Sequence, residues 1–200
     1  MENNFTFDRN GYRSDVSFSD YYWFNNGFSP TELESIEKLT SNLEWEVAAT
    51  GQDDSVSVSE YRKSKIKWCP HSDSWNWVYD KLHDMLVEAN NVMWKFDLTH
   101  MRENIQYTEY YGGGGHYDWH MDCGTGIQSQ RKISVTVQLS HPDEYEGGDL
   151  EFNLGGSVKT APRSQGAAVI FPSFYLHRVT PITSGTRKSF VLWVGGEPYK

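Results

Sequence analysis

The second half of the chain is a succession of short β-type runs, and this pattern constrains the fold more than any other feature of the sequence. Apolar, β-branched and aromatic residues concentrate in five runs separated by Gly, Pro and Asp turns: residues 105–111, 132–140, 149–153, 167–171 and 189–195. Short strands at this spacing are typical of two packed sheets in a jelly roll or double-sheet barrel. We therefore predict a mainly β core.

Two helices are predicted in the first half of the chain. Ser29 has the position of an N-cap, with Pro30 at the first helical position and Glu32 three residues after the cap, which is a capping-box sequence. The second helix is expected over residues 74–91. Each helix has an apolar stripe that predicts packing against the β core, formed by Leu33, Ile36, Leu39 and Leu43 in the first and by Trp75, Val78, Leu82, Met85 and Ala89 in the second.

The order of these segments predicts one domain of the α+β class, mainly β. A chain of 200 residues suffices for one core and is short for two. Further short strands are expected at residues 21–24, 45–49 and 64–68. The organisation we predict is an extended arm at residues 1–20, a helical support region at 21–104 and a jelly-roll core at 105–200.

The charge balance limits the classes of partner. Lys and Arg number 18 and Asp and Glu number 27, which gives a net charge of −9. Nucleic acids and anionic membranes attract basic surfaces, so we expect neither as a partner and favour a protein, peptide or small-molecule substrate. No segment has the length of apolar sequence that a membrane span needs, and the N-terminus lacks a basic leader with an apolar run, so a cytoplasmic protein is expected. Cys69 and Cys123 are too few for a disulfide framework or a cysteine zinc cluster.

The strongest chemical signal is the H-x-D pair His120 and Asp122, followed by the distant His177. Residues two apart on a strand point to the same face, so this histidine and aspartate can reach one metal ion, and His177 must then arrive from a non-adjacent strand. Two imidazoles and one carboxylate on one face of an octahedral ion leave other positions open. This is the facial triad of non-haem Fe(II) oxygenases.

A second H-x-D pair, His116 and Asp118, precedes the first. His116 follows four glycines, which have little strand propensity and leave its direction poorly fixed. His120 and Asp122 lie in a run in which Tyr117, Trp119 and Met121 alternate with polar residues, as a pleated strand requires. We therefore prefer His120 and Asp122 as ligands.

The histidine of a lone H-x-D sequence is usually a surface residue or a core residue with satisfied hydrogen bonds. Two further residues set this chain apart from that case. His177 closes an apolar strand, where a buried imidazole needs a partner. Arg187 opens a second apolar strand, where a guanidinium needs a carboxylate. That carboxylate belongs either to a bound substrate or to one of the 27 acidic residues of the chain.

These residues fall in motifs that resemble the iron(II)/2-oxoglutarate-dependent dioxygenases of the prolyl 4-hydroxylase superfamily, close to the PKHD-type hydroxylases. The resemblance covers roughly residues 105–195. Its motifs, in chain order, are Tyr111-x-x-Gly114-x-x-Tyr117-x-x-His120-x-Asp122, then Tyr145-Glu-Gly-Gly-Asp-Leu-Glu-Phe152, then Phe171-Pro-Ser, then His177-Arg-Val-Thr-Pro-Ile-Thr-x-Gly-x-Arg187, and finally Trp193.

The resemblance implies a double-stranded β-helix in which His120, Asp122 and His177 hold Fe(II). It implies 2-oxoglutarate and O2 as cosubstrates, ascorbate as reductant, and Arg187 as the partner of the distal 2-oxoglutarate carboxylate. Tyr111 occupies the position of the aromatic residue that contacts the cosubstrate, with Tyr110 as the alternative if the glycine run shifts the register. Further expected contacts are Ser189 to the cosubstrate, and Tyr117 and Trp193 in the substrate pocket. In several relatives a tyrosine on the strand at residues 134–139 assists the arginine; here only Ser, Thr and Gln are polar there, so that role stays open.

The implied activity is hydroxylation of an unactivated C–H bond, with succinate and CO2 as coproducts. The resemblance favours a peptidyl proline, with Gly112–Gly115 and loops at residues 51–59 and 124–130 as rims for a peptide. A free amino acid or small metabolite is the alternative substrate, and a cupin-type binding module without 2-oxoglutarate is the alternative class. The nucleic-acid demethylases of the superfamily have a second arginine where this chain has Trp193, which argues against nucleic acid.

Overall fold

The computed structural model describes residues 21–47 and 60–197, so the predictions for residues 1–20, 48–49 and 50–59 lie outside the described residues. The helices are α1 (Pro30–Ser41) and α2 (Asn76–Val92), with 3-10 turns at Gly126–Gln130 and Pro142–Glu144. The strands are β1 (Tyr22–Phe24), β2 (Glu46–Val47), β3 (Arg62–Lys63), β4 (Lys65–Cys69), β5 (Leu98–His100), β6 (Ile105–Tyr111), β7 (Gly115–His120), β8 (Arg131–Gln138), β9 (Tyr145–Gly147), β10 (Leu150–Asn153), β11 (Val158–Thr160), β12 (Ala168–Pro172) and β13 (Leu176–Gly196).

The two helices form as their sequences indicate. Ser29 caps α1: its hydroxyl accepts from the Glu32 backbone N–H at 3.4 Å, and the Glu32 carboxylate accepts from the Ser29 backbone N–H at 2.7 Å. These bonds satisfy backbone donors that the first turn leaves unpaired, and they confirm the predicted capping box. α2 buries the predicted stripe, including Leu82 and Ala89, against the sheet. No described helix is long and apolar enough to cross a membrane.

Two antiparallel sheets form the β core. The major sheet has the order β1-β12-β8-β13-β6-β4-β2, with β5 beside the end of β13. The minor sheet places β3 beside β7, β7 beside β13, and β13 beside β10, which pairs with β11; β9 also pairs with β13. This confirms the predicted mainly β jelly roll with helical support.

Strand β13 belongs to both sheets. Its first part, up to Gly185, pairs with β7, β9 and β10 of the minor sheet, and from Thr186 it pairs with β6 and β8 of the major sheet. Gly185 lies at the transition with φ of 74°, and a Cβ there would meet the Glu144 carbonyl oxygen at 1.9 Å. Only glycine fits this crossing, which puts His177 in one sheet and Arg187 in the other.

The strands of the major sheet separate two environments. On one face, side chains from β6, β8 and β13 pack against the helices and form the main hydrophobic core. On the other face, alternate residues of the same strands point between the sheets and line a pocket. The pocket therefore lies inside the jelly roll, with the helices behind the major sheet.

The strand predictions are correct in position and too short for β13. The run at 105–111 has the predicted bounds as β6, and the runs at 132–140, 149–153 and 167–171 shift by one or two residues as β8, β10 and β12. The run at 189–195 is only the end of β13, which starts at Leu176. Strand β7 starts at Gly115, directly within the glycine run, and ends at His120, so Asp122 lies beyond the strand rather than on it.

Candidate active site

His120, Asp122 and His177 meet at one point in the pocket. His120 is the last residue of β7, and His177 is its antiparallel register partner on β13. One ligand atom from each of the three residues lies within 4.8 Å of the other two. Their side chains are 7–8% exposed. Three donors converging in a buried pocket are a geometry that could hold one metal ion.

The two imidazoles have the same hydrogen-bonding arrangement. The Nδ1 atom of His120 is 2.7 Å from the Asp118 carbonyl oxygen, and the Nδ1 atom of His177 is 2.9 Å from the Tyr175 carbonyl oxygen. A carbonyl oxygen only accepts, so each Nδ1 carries the proton and each Nε2 keeps a free lone pair. The Nε2 atoms face the Asp122 carboxylate, at 3.7 Å from His120 and 3.6 Å from His177.

Asp122 is held by the major sheet, although it lies beyond β7. The Ser134 hydroxyl donates to its Oδ2 at 2.6 Å, and the Asp122 backbone N–H donates to the Ser173 carbonyl oxygen at 2.9 Å. The Ser173 hydroxyl lies 3.0 Å from the Ser134 hydroxyl. The carboxylate direction is therefore fixed from β8 and from the turn after β12.

Burial and charge keep His120 and Asp122 in the protonation states that a metal ligand needs. Burial lowers the pKa of His120 to about 4, with His177 as the next cause, so the imidazole is neutral at pH 7. Burial opposes ionisation of Asp122, but His177, His120 and the Ser134 hydrogen bond outweigh it and lower the pKa of this carboxyl group. A neutral imidazole and an ionised carboxylate are the forms of these side chains that bind metal.

The alternative pair does not assemble into a site. Both ring nitrogens of His116 lie 2.7 Å from backbone carbonyl oxygens, those of Gly114 and Glu60. The exposed Asp118 accepts a hydrogen bond from the Trp119 backbone N–H. His116 and Asp118 are thus engaged with the backbone, and among the described residues the group that could hold a metal ion contains neither of them.

Arg187 lies deep in the pocket, 2% exposed. Its Nη1 donates to the Ser189 hydroxyl at 3.2 Å, and its Cζ lies 5.6 Å from the centre of the Tyr110 ring. Among the described residues no carboxylate forms an ion pair with it. Gly148, at φ of 67°, gives it room, because a Cβ there would meet the Arg187 Cδ at 3.0 Å. A buried guanidinium that has no acidic partner in the described part of the chain could bind the carboxylate of a ligand.

The two neighbouring tyrosines of β6 point in opposite directions. Tyr110 is the register partner of Arg187 and lines the pocket. Tyr111 does not line it: its hydroxyl donates to the Glu109 carboxylate, and the Lys65 Nζ lies 5.4 Å from its ring. The structure therefore separates Tyr111 from the other residues of the predicted cosubstrate site and puts the alternative, Tyr110, beside Arg187.

Tyr117 and Trp193 both line the pocket near His120 and Asp122. The Tyr117 ring stacks on the His120 ring, with centroids 3.5 Å apart at 16°. Trp193 is the register partner of Ser134, which holds Asp122. Both predicted substrate-pocket residues are therefore brought to the proposed metal ligands.

Several pocket residues were missed by sequence reasoning. Arg62 donates to the Gln106 side-chain oxygen at 2.8 Å, and its Cζ lies 4.5 Å from the Tyr117 ring centre. Thr136 also lines the pocket. The even-numbered positions of β6 and β8 were a usable signal, because polar residues there alternate with apolar ones. On β8 none of the described contacts joins a side chain to Arg187, so the assisting residue is not identified by geometry.

The region that carries the site is also the region that is similar to known proteins. Residues 105–195 match the family model described as the 2OG-Fe(II) oxygenase superfamily. Among curated proteins, a PKHD-type hydroxylase of Colwellia psychrerythraea is 40% identical over 84 residues, which are 40% of this chain and 38% of that protein. A PKHD-type hydroxylase of Delftia acidovorans is 39% identical over 89 residues, 42% and 39% of the two chains. The match thus spans about two fifths of the length of these curated relatives.

Solved structures share the fold over most of the chain. A prolyl hydroxylase from Trichoplax adhaerens, in complex with a hypoxia inducible factor oxygen degradation domain peptide fragment, has a TM-score of 0.70 at 19% identity and covers 88% of this chain and 84% of its own. A Pseudomonas putida prolyl-4-hydroxylase has a TM-score of 0.65 at 17% identity, covering 89% and 93%. At these identities the comparison establishes the double-stranded β-helix fold.

Proposed function

We propose that this chain, whose residues 105–195 match the 2OG-Fe(II) oxygenase superfamily model, is a 2-oxoglutarate-dependent dioxygenase of that superfamily and hydroxylates a C–H bond. One observation carries the proposal. Two imidazole Nε2 atoms and the Asp122 carboxylate converge in the same pocket whose deep end holds the buried Arg187. A site for a metal ion and a site for a carboxylate are what this chemistry requires of the protein.

The donor set fits Fe(II). His120, Asp122 and His177 would hold the ion as a facial triad, and the second hydrogen bond of each ligand is already satisfied by the protein. With 2-oxoglutarate and O2, bound iron supplies the oxidising power for inserting an oxygen atom into a C–H bond, with succinate and CO2 as coproducts. The residues around the site bind, orient and exclude water.

Arg187 would bind the distal carboxylate of 2-oxoglutarate. A guanidinium can meet a carboxylate with two parallel hydrogen bonds, which fixes both position and orientation. Ser189 already accepts a hydrogen bond from the Arg187 Nη1 and orients the fork. Tyr110, which faces the same end of the pocket, takes the aromatic cosubstrate contact that the sequence assigned to Tyr111.

The apolar wall of the pocket would exclude water from the reacting bond. Leu150, Phe171, Val179 and Val191 line it together with Trp193. Removing water from the site strengthens the interactions of its charged groups and limits side reactions. The wall also gives an apolar substrate carbon a favourable place beside the metal ligands.

The proposed substrate is a peptide, with proline as the residue hydroxylated. The support is the fold shared with prolyl hydroxylases, one of which is solved with a bound peptide, and the PKHD-type relatives. A cytoplasmic location, a single domain over residues 1–200 and the use of ascorbate stay predictions.

The test combines cosubstrate binding with product analysis. Anaerobic calorimetric titration of the Fe(II) protein should show 2-oxoglutarate binding that Arg187→Met weakens at least about 30-fold, or roughly 2 kcal/mol, because a buried charge pair is lost. Lys188→Met is the matched control, since Lys188 follows on the same strand but pairs with Glu37 at 3.1 Å. It should bind 2-oxoglutarate like wild type.

Product analysis uses mass spectrometry of a peptide library incubated with Fe(II), 2-oxoglutarate and ascorbate. The expected result is the gain of one oxygen on proline, dependent on 2-oxoglutarate. Gain of oxygen only on free amino acids would move the substrate to small molecules. Wild-type affinity in Arg187→Met, or no oxygen gain on either substrate class, would overturn the proposed function.

A further inference from the structure

We propose that Arg131 is a positioning residue that ties the Asp122 backbone and the Trp193 pocket wall to one guanidinium, and so couples metal binding to the shape of the substrate pocket. The inference rests on the proposed function in one respect, the use of Asp122 as a metal ligand. It concerns residues outside the facial triad and the cosubstrate site.

The Arg131 side chain makes three kinds of contact at once. Its Nε and Nη2 form a two-point ion pair with the Glu103 carboxylate, with Nε at 2.7 Å from Oε1. Its Nη1 donates to the Asp122 carbonyl oxygen at 3.1 Å. Its Cζ lies 3.8 Å from the centre of the Trp193 ring. The side chain is 11% exposed, so solvent competes little with these contacts.

Asp122 needs an anchor of this kind because of where the chain places it. β7 ends at His120, and the connection to β8 has no buried residue between Cys123 and Gln130. A ligand on such a segment receives no rigidity from a core of its own. Ser134 fixes the carboxylate and Ser173 fixes the backbone N–H. Arg131 fixes the remaining backbone group, the carbonyl.

The contacts close a circuit around the proposed metal site. The Arg131 guanidinium donates to the Asp122 carbonyl oxygen, and the Asp122 carboxylate accepts from the Ser134 hydroxyl. Ser134 is the register partner of Trp193, whose ring lies against the Arg131 guanidinium. Trp193 also lines the pocket. A shift of the carboxylate would therefore move the guanidinium off the indole, and a shift of the indole would release the carbonyl. Metal affinity and pocket shape depend on the same side chain.

Glu103 sets the direction of this guanidinium. It lies two residues before β6, the strand that carries the pocket residues Gln106 and Tyr110. Its two oxygens occupy one edge of the planar fork, so Nη1 is left to reach Asp122 and the flat face is left to cover Trp193. The ion pair thus links the start of β6 to the β7–β8 connection and to β13.

The chain contains an internal control, Arg163, with the same three kinds of contact in a more exposed setting. The Nη1 of Arg163 pairs with Asp149 at 2.9 Å, its Nη2 donates to the Tyr145 carbonyl oxygen at 3.2 Å, and its Cζ lies 4.6 Å from the Tyr145 ring centre. None of these partners is one of the proposed metal ligands. A general effect of losing an ion-paired, ring-stacked arginine should therefore appear in Arg163 variants as well.

The experiment measures the Fe(II) affinity of the 200-residue chain by anaerobic competition with a chelator, for wild type, Arg131→Met and Arg163→Met. Methionine keeps an unbranched side chain over the ring but donates no hydrogen bond. Loss of an outer partner of a metal ligand lowers metal affinity roughly 10- to 100-fold, and we expect this loss in Arg131→Met. Arg163→Met should bind Fe(II) like wild type. In Arg131→Met the KM for the peptide should also rise.

Two conservative variants extend the test. Arg131→Lys can donate to the Asp122 carbonyl but cannot form the fork or cover the indole in the same way, so an intermediate affinity is expected. Glu103→Gln, compared with Asp149→Asn, serves if Arg131→Met does not fold, and it should lower Fe(II) affinity where Asp149→Asn does not.

Wild-type Fe(II) affinity in Arg131→Met or Glu103→Gln, or an equal loss in the Arg163 and Asp149 variants, would overturn the positioning role. Failure of the proposed function has a different signature. A wild-type protein that binds Fe(II) but never consumes 2-oxoglutarate refutes the dioxygenase and leaves the Arg131 affinity measurement valid.

Discussion

The two faces of the major sheet differ in chemistry although both hold deeply buried side chains. Toward the helices, β8 and β13 present Ile133, Val135, Val137, Phe190, Leu192 and Val194, all at most 3% exposed. Toward the pocket, the same two strands present Ser134, Thr136, Gln138, Arg187 and Ser189, at most 5% exposed. Burial alone therefore does not distinguish the part of the sheet that stabilises the fold from the part that serves the site.

The difference lies in what burial costs on each face. Apolar side chains gain free energy when water is removed, whereas polar groups lose it unless they find hydrogen-bond partners. Several polar residues of the pocket face have such partners, as in the bond from Thr136 Oγ1 to the Phe190 carbonyl oxygen. Among the described residues, the two buried side-chain atoms without a hydrogen bond, Gln138 Oε1 and Trp193 Nε1, both belong to pocket-facing positions. The apolar side chains that face the helices therefore stabilise the fold. That stability offsets the free-energy cost of burying polar groups on the pocket face.

The largest difference should appear when one side chain is truncated in the helix-facing core and one in the pocket. Leu192→Ala should lower the free energy of unfolding by about 2–5 kcal/mol, because a fully buried side chain leaves a cavity. It should leave Fe(II) stoichiometry intact below the unfolding transition. His177→Ala should abolish Fe(II) retention and leave the unfolding midpoint of the metal-free protein nearly unchanged.

Denaturant titration of the metal-free proteins and iron analysis after gel filtration measure the two quantities. The contrast fails if His177→Ala costs as much stability as Leu192→Ala, which would make this histidine structural. It fails equally if His177→Ala retains stoichiometric iron.

The next prediction is that pH changes the free energy of unfolding through the pocket residue His120 and not through the apolar residues that face the helices. In the folded metal-free protein the pKa of His120 is lowered to about 4 by burial, against 6.5 in the unfolded chain, so the unfolded state binds the proton first. The stability linked to neutral His120 is present above about pH 6.5 and is lost as the pH falls toward 4, by about 3 kcal/mol. Asp122, whose pKa is lowered, adds a loss in the same direction below pH 3.8.

Unfolding free energy measured between pH 8 and pH 4 should show this slope in the metal-free wild type, because roughly one proton is taken up on unfolding. His120→Gln should flatten the slope. Leu192→Ala should lower stability by the same amount at every pH, since no titrating group is involved. A slope unchanged by His120→Gln would remove this residue as its source.

The sequence predicted the helix face and most of the strands because both follow from local periodicity. It did not predict the length of β13, since residues 180–185 contain Pro, Ser and Gly and have the composition of a turn. Those residues are extended because β7 and β9 pair with them. Strand pairing overrode local propensity, as it did for the glycine that starts β7.

The site was predictable where a motif carries it and not where it depends on contacts between distant segments. The His-Asp-His set and Arg187 stand in the sequence at recognisable spacings. Arg62 and Arg131 do not, because their roles come from contacts with Gln106 and Trp193, 44 and 62 positions away. The two tyrosines at the end of β6 were ambiguous for a related reason. Adjacent identical residues leave the phase of the pleat open, and only the pairing of Tyr110 with Arg187 sets it.

The smallest predicted effect tests which of the two tyrosines, Tyr110 or Tyr111, faces the pocket. Tyr110→Phe should raise the KM for 2-oxoglutarate roughly tenfold, as expected for losing one hydrogen bond to a charged group, with little change in stability. Tyr111→Phe should leave the KM unchanged, because the Tyr111 hydroxyl donates to Glu109 outside the pocket. It should instead cost about 1 kcal/mol of unfolding free energy. Steady-state kinetics at saturating peptide and denaturant titration measure both variants. The reverse pattern would mean that β6 presents Tyr111 to the pocket, and that the two faces of this strand are exchanged relative to the register with β13.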